Sequence, residues 1–402
     1  MREVERRTQI LLEIEMKNRN KFKQTKIDDA SREWQECRVG DRVELVYGDG
    51  LPERERKNGA IPVFGSNGIT GFHDKALVKG PGIIIGRKGT VGQVVFSDTD
   101  FWPIDTTYYV KIKGDDDIVF WYYFLRTLGL NQMNSHSAVP GLNRDNVYEI
   151  TALLPFLPEQ HAIAKILSDL DEKIELNHQM NKTLEAIAQA LFKRWFVDFE
   201  FPGYEKTKIV NGLPGEWKEG ILIDVCDIVM GQSPPGKTYN ESGTGVVFYQ
   251  GNRDFGFRFP TPRVYCTDPT RIAEAGDVLI SVRAPVGALN ITLERCAIGR
   301  GVAALRMKQY SNGFLFYFLS TRQDLWDRFN SEGTVFGCLN KTEFQKVGLI
   351  IPSDAVMEQF DVVIKPVEAM IRKNEIENRL LIEIRDSLLP RLMSGKMRLK
   401  NM

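Results

Sequence analysis

A long amphipathic helix is the feature that most constrains what this chain can fold into. Neither Gly nor Pro interrupts the sequence between Pro158 and Pro202, and the side chains expected to face a partner recur at alternating steps of four and three. This spacing predicts the seam of a coiled coil. At 1.5 Å per residue, such a helix is roughly 60 Å long. No single compact core needs that length, so we expect the helix to connect separate domains. The seam positions are Ile163, Leu167, Leu170, Ile174, Asn177, Asn181, Leu184, Ala188, Leu191 and Trp195.

A diverged internal repeat sets the domain organisation. Leu142–Asn143 reappears as Leu339–Asn340 at an offset of 197, whereas Trp34 reappears as Trp217 at an offset of 183. The second copy therefore carries about fourteen extra residues in its first half. The repeat predicts a unit made of a globular block followed by a long helix, used twice.

Two asparagines stand on each seam, where apolar residues are expected. The offset relates Asn177 and Asn181 to Asn374 and Asn378. If the helices pair antiparallel about a local two-fold axis, Asn177 faces Asn378 and Asn181 faces Asn374 near the middle of the helices. A buried Asn costs stability but penalises every register that leaves its amide unpaired. We interpret the four residues as register-setting; the alternative is that they are solvated positions on a seam that has drifted.

The second long helix departs from the first. Arg385 falls on the seam, so we expect Ile384 to turn inward instead, and Pro366 predicts that the initial turns are kinked or separate. Its seam positions are Phe360, Val363, Val367, Ile371, Asn374, Asn378, Leu381, Arg385, Leu388 and Leu392.

Both blocks combine short β-rich runs with a later helix, predicted over 117–128 in the first and 312–329 in the second. Strands followed by a helix on the same sheet indicate an α+β fold, with a pseudo-two-fold repeat and two long helices forming an antiparallel coiled coil. The predicted segments are a charged helical extension (1–30), the first block (31–157), the first long helix (158–200), a linker (201–214), the second block (215–353), and the second long helix with the C-terminal tail (354–402).

Charge and composition exclude several classes of protein. Lys and Arg number 53, and Asp and Glu also number 53, so any basic surface must be local. The longest apolar runs are strand-sized and no signal peptide is visible, which predicts a cytoplasmic protein without a membrane segment. The five cysteines are scattered and odd in number, which favours a reducing compartment and no structural zinc.

No catalytic motif is recognisable, and no catalytic or metal-binding residues are predicted. Walker A, zinc-cluster and nucleophile-elbow patterns are absent from the sequence. A DNA methyltransferase needs a glycine-rich cofactor turn and a polar-Pro-Pro-aromatic loop, and the nearest match to the loop, "SPPG" at 233–236, lacks the aromatic residue.

Polar or basic loops recur at matching places in both blocks. Arg pairs with guanine, Asn and Gln pair with adenine, and Lys neutralises phosphate, so these loops are candidates for reading a DNA groove. The alternative for any one residue is an ordinary polar surface loop. The candidates are Asn67, His73, Arg87, Lys88, Thr90, Asn143 and Arg144 in the first block, and Gln250, Asn252, Arg253, Arg283, Arg300, Asn340 and Lys341 in the second.

Four stretches resemble the specificity subunit of type I restriction-modification systems. They are "LPEQHAIAKILSDLDEKIELNHQMNKTLEAIAQALFKRWFVDFE", "MGQSPPGKTYNESGTG", "GDVLISVRAPVG" and "RDSLLPRLMSGK". The resemblance covers nearly the whole chain from Trp34 onward; residues 1–30 match nothing in the family. It implies two target recognition domains, each reading one half of a split double-stranded DNA sequence, held apart by an antiparallel pair of helices.

The same resemblance implies partners. Two modification subunits would bind this chain and supply adenine methylation and the S-adenosylmethionine site, and restriction subunits would join them to cut DNA with ATP and Mg. For docking of partners at the helix ends we predict Phe192, Trp195, Phe196 and Leu392. Because the two blocks have diverged, the expected target is asymmetric. Two alternatives stay open: a self-contained DNA methyltransferase or nuclease with a duplicated DNA-binding half, and a coiled-coil scaffold with two protein-binding modules.

Overall fold

A computed structural model describes residues 34–133, 141–331 and 339–399. These residues form two compact units: one contains those up to Ile174 together with those from Arg379 to 399, and the other contains those between Glu175 and Asn378. The predicted N-terminal helix (1–30) lies outside the described residues. Among the described helices, none has the length and apolar character needed to cross a bilayer.

The first unit contains three sheets, with strand orders β2-β8-β5-β6, β4-β3-β7 and β1-β9. The strands are β1 Gln35–Arg38, β2 Val43–Tyr47, β3 Ile61–Gly65, β4 Gly68–His73, β5 Gly82–Gly86, β6 Val94–Ser97, β7 Trp102–Pro103, β8 Thr107–Ile112 and β9 Thr151–Leu154. The helices are α1 Val39–Arg42, α2 Ile118–Thr127 and α3 Arg144–Tyr148, with 3-10 turns at Glu53–Glu55 and Leu130–Gln132.

The local sequence explains the centre of this unit. Strand β5 ("GIIIG") lies between β8 and β6 and is buried along its whole length, because one apolar cluster covers Ile83 and Ile85 and another covers Ile84 on the opposite face. Helix α2, which was predicted, begins after Asp117, whose carboxylate accepts a hydrogen bond of 2.7 Å from the backbone N–H of Phe120. The aromatic residues of α2 then pack into the same core as β5.

The second unit contains four sheets, with strand orders β13-β21-β18-β19, β14-β16-β15-β20-β17, β12-β22 and β10-β11. Its strands are β10 Ile209–Val210, β11 Leu213–Pro214, β12 Lys218–Ile221, β13 Cys226–Met230, β14 Tyr239–Asn240, β15 Val246–Tyr249, β16 Tyr265–Cys266, β17 Ile272–Ala273, β18 Val278–Ser281, β19 Leu289–Ile291, β20 Cys296–Ile298, β21 Val302–Met307 and β22 Gly348–Ile351. After the long helix α4 Leu157–Phe192, the helices are α5 Leu222–Val225, α6 Gly313–Ser320, α7 Gln323–Ser331 and α8 Lys341–Gln345, with 3-10 turns at Tyr204–Lys206, Gly236–Thr238 and Asn252–Asp254.

The single helix predicted over 312–329 is wrong in one respect, because α6 and α7 are separate. Helix α6 is almost entirely apolar and is buried over seven of its residues, whereas α7 is amphipathic. Trp326 of α7 is buried and its indole N–H donates to the carbonyl of Leu319 at 3.0 Å. A break between the helices lets α7 fold back over the end of α6.

The internal repeat is present in the backbone hydrogen bonds. Leu142 N–H donates to the carbonyl of Arg87 at 2.9 Å in the first unit, and Leu339 N–H donates to the carbonyl of Val282 at 3.0 Å in the second. The loop after β5 thus accepts a hydrogen bond from the segment that leads into α3, and the loop after β18 accepts one from the segment that leads into α8. These are the loops that the sequence comparison related to each other.

The two long helices are α4 and α9 Asp354–Met393, and α4 is followed by a π-helical turn at Lys193–Val197. Within the second unit, Asn177 Nδ2 donates to Asn378 Oδ1 at 2.8 Å, and Asn374 Nδ2 donates to Asn181 Oδ1 at 2.9 Å. These pairs make the helices antiparallel in the register predicted from the repeat. All four side chains are buried, so they are not solvated positions on a drifted seam.

Helix α9 differs from its prediction at two places. It is continuous through Pro366, so the initial turns are not separate, whereas the alternative of a kink there stays a prediction. Phe360 and Ile364, which precede Pro366 in the helix, are fully buried, and their packing offsets the backbone hydrogen bond that Pro cannot make. Val363 is 44% exposed, and Ile364 occupies the seam in its place.

Candidate nucleic-acid interface

Two arginines of the first unit converge on one tyrosine. The guanidinium carbons of Arg87 and Arg144 lie 5.1 and 5.2 Å from the centroid of the Tyr47 ring, which is 48% exposed at the end of β2. Arg87 Nη2 also donates to the carbonyl of Asp105 at 2.6 Å, which fixes its direction. Burial and a hydrogen bond with Tyr47 raise the pKa of Tyr108 beneath this cluster, so its hydroxyl stays neutral. The edge therefore presents positive charge on an aromatic support.

The turn between β3 and β4 lies beside the same loop. Asn67 is at the tip of this two-residue turn, and a Cβ placed on Gly89 would lie 3.1 Å from Ser66 Oγ. Gly89 has a φ of 77°, which favours glycine. The close approach brings Asn67, Lys88 and Thr90, all exposed, to one edge of the unit.

In the second unit, four of the predicted residues line one groove. Gln250, Asn252, Arg283 and Arg300 surround a volume of about 820 Å³. The backbone N–H of Gly301 donates to the carbonyl of Gln250 at 3.0 Å and holds two sides of the groove together. Two guanidinium groups and two amides in one concave surface can donate to and accept from base edges. Arg253 is exposed beside Asn252.

Sequence reasoning missed three groove or edge residues. Ser233 and Tyr239 line the groove of the second unit, and Tyr47 supports the arginines of the first. The signal for the first two was the stretch "MGQSPPGKTYNESGTG", which carried the family resemblance but was not used to name DNA-contacting residues; only its part "SPPG" was compared with a methyltransferase loop. Tyr47 carried no signal, because an aromatic residue that ends a strand is equally typical of a core.

Two of the candidate asparagines act as helix caps. Asn143 Oδ1 accepts from the backbone N–H of Asp145 at 2.9 Å, and Asn340 Oδ1 accepts from that of Glu343 at 3.0 Å. Glu343 reciprocates by accepting from the backbone N–H of Asn340, which completes a capping box. Capping alone accounts for the presence of an asparagine at both positions, without a contact to DNA. The neighbouring Arg144 and the exposed Lys341 remain candidates for DNA contacts.

His73 does not fit its predicted role as a DNA contact. Its side chain is buried, Nδ1 accepts from the backbone N–H of Lys57 at 3.0 Å, and Nε2 lies 3.2 Å from Asp74 Oδ1. The ring also packs edge-to-face on Trp102. Both ring nitrogens are thus engaged inside the unit. His73, which was predicted to contact DNA, is a core residue.

The four residues predicted to dock partners are also core residues. Phe192, Trp195 and Phe196 are at most 8% exposed, and Phe196 packs against Phe314 with ring centroids 4.9 Å apart. Leu392 is 1% exposed in the core of the first unit. The prediction is wrong because the aromatic cluster anchors the second unit to α4 instead of facing solvent.

Across the described ranges, no group of three or more His, Cys, Asp or Glu side chains is arranged to hold a metal ion. The candidate surfaces consist of Arg, Lys, Asn and Gln, which are donors and amides suited to nucleic acid. Duplicated α+β domains that present such loops at equivalent edges define a protein with two related recognition modules.

Comparison with known proteins gives the family. Residues 31–186 and 214–386 match the model described as type I restriction modification DNA specificity domain. The chain therefore belongs to this family and carries two copies of its domain, as its sequence predicted.

Individual relatives agree with the family. A Methanocaldococcus jannaschii protein assigned as the MjaX specificity subunit of a type I restriction enzyme is 31% identical over 64% of this chain, and the chain spans 62% of that relative. The MjaIX specificity subunit of the same organism is 24% identical over 98% of this chain and 100% of its own length. A crystal structure of the type I restriction-modification S subunit from M. genitalium has the same fold, with a TM-score of 0.65 at 17% identity, covering 92% of this chain and 98% of that one.

Proposed function

We propose that this chain is the DNA sequence-specificity subunit of a type I restriction-modification complex and reads an asymmetric bipartite target, one half-site with each domain. One observation carries the proposal. The loops at equivalent edges of the two domains hold different readers: Arg87 and Arg144 on Tyr47 in the first, and a groove with Gln250 and Arg283 in the second. Different side chains at equivalent places read different bases, which makes the target asymmetric.

The chemistry of each edge suggests its part in recognition. Arg283 and Arg300 suit bidentate pairing with guanine, and Gln250 and Asn252 suit adenine. Lys88 and Lys341 suit phosphate contacts, which position the protein without reading sequence. The neutral formal charge of the whole chain leads us to expect modest DNA affinity for the chain alone, with many phosphate contacts supplied by partners.

Catalysis is assigned to the partners in this proposal. Two modification subunits would bind the chain and carry S-adenosylmethionine and the adenine methyltransferase site, and restriction subunits would use ATP and Mg. The internal repeat supports two copies of one modification subunit, because each copy would meet a similar surface. An activity assay on the chain alone tests the assignment: methylation or cleavage by it would favour a self-contained enzyme.

The long helices serve as a ruler in the same proposal. Insertion of one heptad into both α4 and α9 preserves the seam and lengthens each helix by roughly 10 Å. We expect methylation mapping of this variant to show a longer unread spacer between two unchanged half-sites. An unchanged spacer would refute the ruler.

The reading surfaces are tested by genome-wide methylation mapping in cells that carry this chain with its modification partner. We expect Arg283→Ala and Arg300→Ala to relax the second half-site while the first stays intact. Arg295→Ala is the matched control, because Arg295 is an exposed arginine of the same unit paired with Glu274 at 3.5 Å and outside the groove. Absence of any sequence-selective DNA binding by the complete complex would instead favour the scaffold alternative.

A further inference from the structure

The extra residues of the second copy form one segment. In the first unit, β3 and β4 are joined by the two-residue turn at Ser66–Asn67. In the second unit, the related strands β15 and β16 are also antiparallel neighbours, but they are joined by the whole segment 250–264. We call this segment the inserted loop. It accounts for most of the additional length that the change of offset predicted.

The near end of the inserted loop forms part of the candidate DNA groove. Gln250, Gly251 and Asn252 line the groove together with Arg283 and Arg300. The loop therefore carries the groove residues that suit adenine, and the first unit has only a short turn at the equivalent place.

The middle of the loop is anchored on the two long helices by a buried arginine. Arg258 is 1% exposed, its Nη2 forms an ion pair with Glu185 of α4, and its Nη1 lies 3.6 Å from Glu368 Oε1 of α9. Arg258 Nη2 also donates to the hydroxyl of Tyr317 at 3.0 Å, and its guanidinium carbon lies 3.9 Å from the centroid of the Phe316 ring. Nε and Nη1 of Arg258 make no hydrogen bond within the described residues, so the ion pairs and the Nη2 contact carry the anchor. Burying the guanidinium is costly unless it is paired, so loss of its carboxylate partners should destabilise this attachment.

Hydrogen bonds hold the loop between Asp254 and Arg263 against β19 and against itself. The buried Asn290 side chain accepts from the N–H of Gly256 and donates to its carbonyl, both at 3.0 Å. The backbone N–H of Ile291 donates to the carbonyl of Arg258 at 2.8 Å. Arg263 forms two hydrogen bonds with Asp254, of 2.7 and 3.2 Å, at the end of the short turn that begins with Asn252. The loop is therefore braced along its length.

We propose that Arg258 is a positioning residue for recognition of the second half-site: it fixes the inserted loop to the long helices and so sets where Gln250 and Asn252 meet the DNA. This inference rests on the proposed function. Arg258 itself is buried and touches no base. Its effect reaches the DNA through the braced loop, and the first half-site has no equivalent dependence because its turn is short.

The test compares discrimination at the two half-sites in the complete complex with modification subunits. One variant, R258M/E185Q/E368Q, removes the network without leaving a buried charge, which is the change that folded proteins tolerate best. The other variant, Arg258→Lys, keeps the charge but loses the planar fork. The measurement is the ratio of initial methylation rates on cognate DNA and on DNA with one substituted base in either half-site.

We expect the neutral variant to lose about tenfold in discrimination at the second half-site, which is the loss of one good base contact. Discrimination at the first half-site should stay unchanged, and Arg258→Lys should lose less. Arg295→Ala is again the control and should match the unchanged chain. If the neutral variant does not fold, as judged by thermal unfolding, Arg258→Lys decides the question.

Two outcomes overturn the inference in different ways. A folded variant that keeps full discrimination at both half-sites, or loses it equally at both, shows that Arg258 has only a structural role. If the unchanged complex methylates no bipartite sequence at all, the proposed function itself fails, and the inference fails with it.

Discussion

The two units attach their recognition domains to the long helices in related but unequal ways. In the first, the hydroxyl of Tyr123 donates to Asp171 Oδ2 at 2.6 Å, and Arg385 Nη1 donates to Asp171 Oδ1 at 2.6 Å. In the second, Tyr317 donates to Glu368, which also faces Arg258. Asp171 and Glu368 are related by the repeat offset of 197. Both copies therefore keep a tyrosine on the domain and a carboxylate on the helix.

The cation is what differs between the units. Arg385 belongs to α9 and its side chain is 16% exposed, so it can pair with Asp171 of α4 whether or not the first domain is in place. Arg258 belongs to the second domain and is 1% exposed. After the duplication, each copy neutralised its helix carboxylate from a different element. Attachment of the second domain therefore depends on a charge carried by that domain, whereas attachment of the first does not.

The largest expected effect comes from removing the buried cation. Arg258→Met leaves the carboxylates of Glu185 and Glu368 close together without a cation, which should lower the free energy of unfolding by about 3–5 kcal/mol. Arg385→Met should cost about 1.5 kcal/mol, because Arg385 and Asp171 keep access to water. Urea unfolding of the full-length chain measures both. Equal losses of unfolding free energy in the two variants would show that the two domains depend on their cations to the same degree.

The next effect concerns the asparagines of the second unit's seam. Asn181→Leu leaves the amide of Asn374 without its acceptor, and we expect a cost of about 1–3 kcal/mol. Asn181→Leu with Asn374→Leu should recover much of that loss, because two leucines pack on a seam. The coupling energy from this double-mutant cycle is the measurement. Additive costs would mean that the pair does not set the register.

Much of this architecture could be predicted from the sequence, for identifiable reasons. Helix periodicity and the repeat offset fixed which asparagines pair, because a constant offset and antiparallel geometry leave one register. The inward turn of Ile384 was also predicted, since Arg385 could not be buried alone; the structure supplies its partner, Asp171. Local pattern was sufficient wherever the contacts follow from spacing along a helix.

The remainder depended on contacts between distant segments. His73 was named as a candidate DNA contact, with a structural or surface role as the alternative, and burial beside Trp102 is a tertiary property that the sequence does not show. The same holds for Phe196, whose partners include Trp217 at 5.9 Å between ring centroids. Arg258 carried no sequence signal, because neither of its acidic partners is near it in the chain. The anchoring sites were therefore found only in the structure.

Unfolding at alkaline pH tests the two tyrosines that attach the domains to the long helices. Burial, followed by the nearby carboxylate, raises the pKa of both Tyr123 and Tyr317 above the ordinary value of 10. A raised pKa in the folded state means that this stability is complete below pH 10 and is lost as the pH rises above it. Each group should contribute up to about 1.4 kcal/mol per pH unit in that range.

We therefore expect Tyr317→Phe and Tyr123→Phe each to make the decline of unfolding free energy above pH 10 less steep. Urea unfolding at several pH values up to pH 11 measures the slope, with Tyr204→Phe, an exposed tyrosine, as the control. If neither substitution changes the slope, the two hydroxyls ionise no later in the folded chain than in the unfolded one.

The smallest effect is a difference in thiol reactivity that reports which unit opens first. Burial raises the pKa of Cys226 to about 12 and that of Cys296 to about 11, and both are in the second unit. Cys37 of the first unit is only half-buried, although partial burial also raises its pKa. The thiolate is the form that reacts with alkylating reagents. Alkylation near pH 8 should therefore modify Cys37 before Cys226 and Cys296, which should react only when the second unit opens. Peptide mass spectrometry resolves the sites. In Arg258→Met, labelling of Cys226 and Cys296 should accelerate, while labelling of Cys37 should keep its rate. Equal acceleration at all three sites would show that both domain attachments open together. The difference between the two units would then not extend to their opening rates.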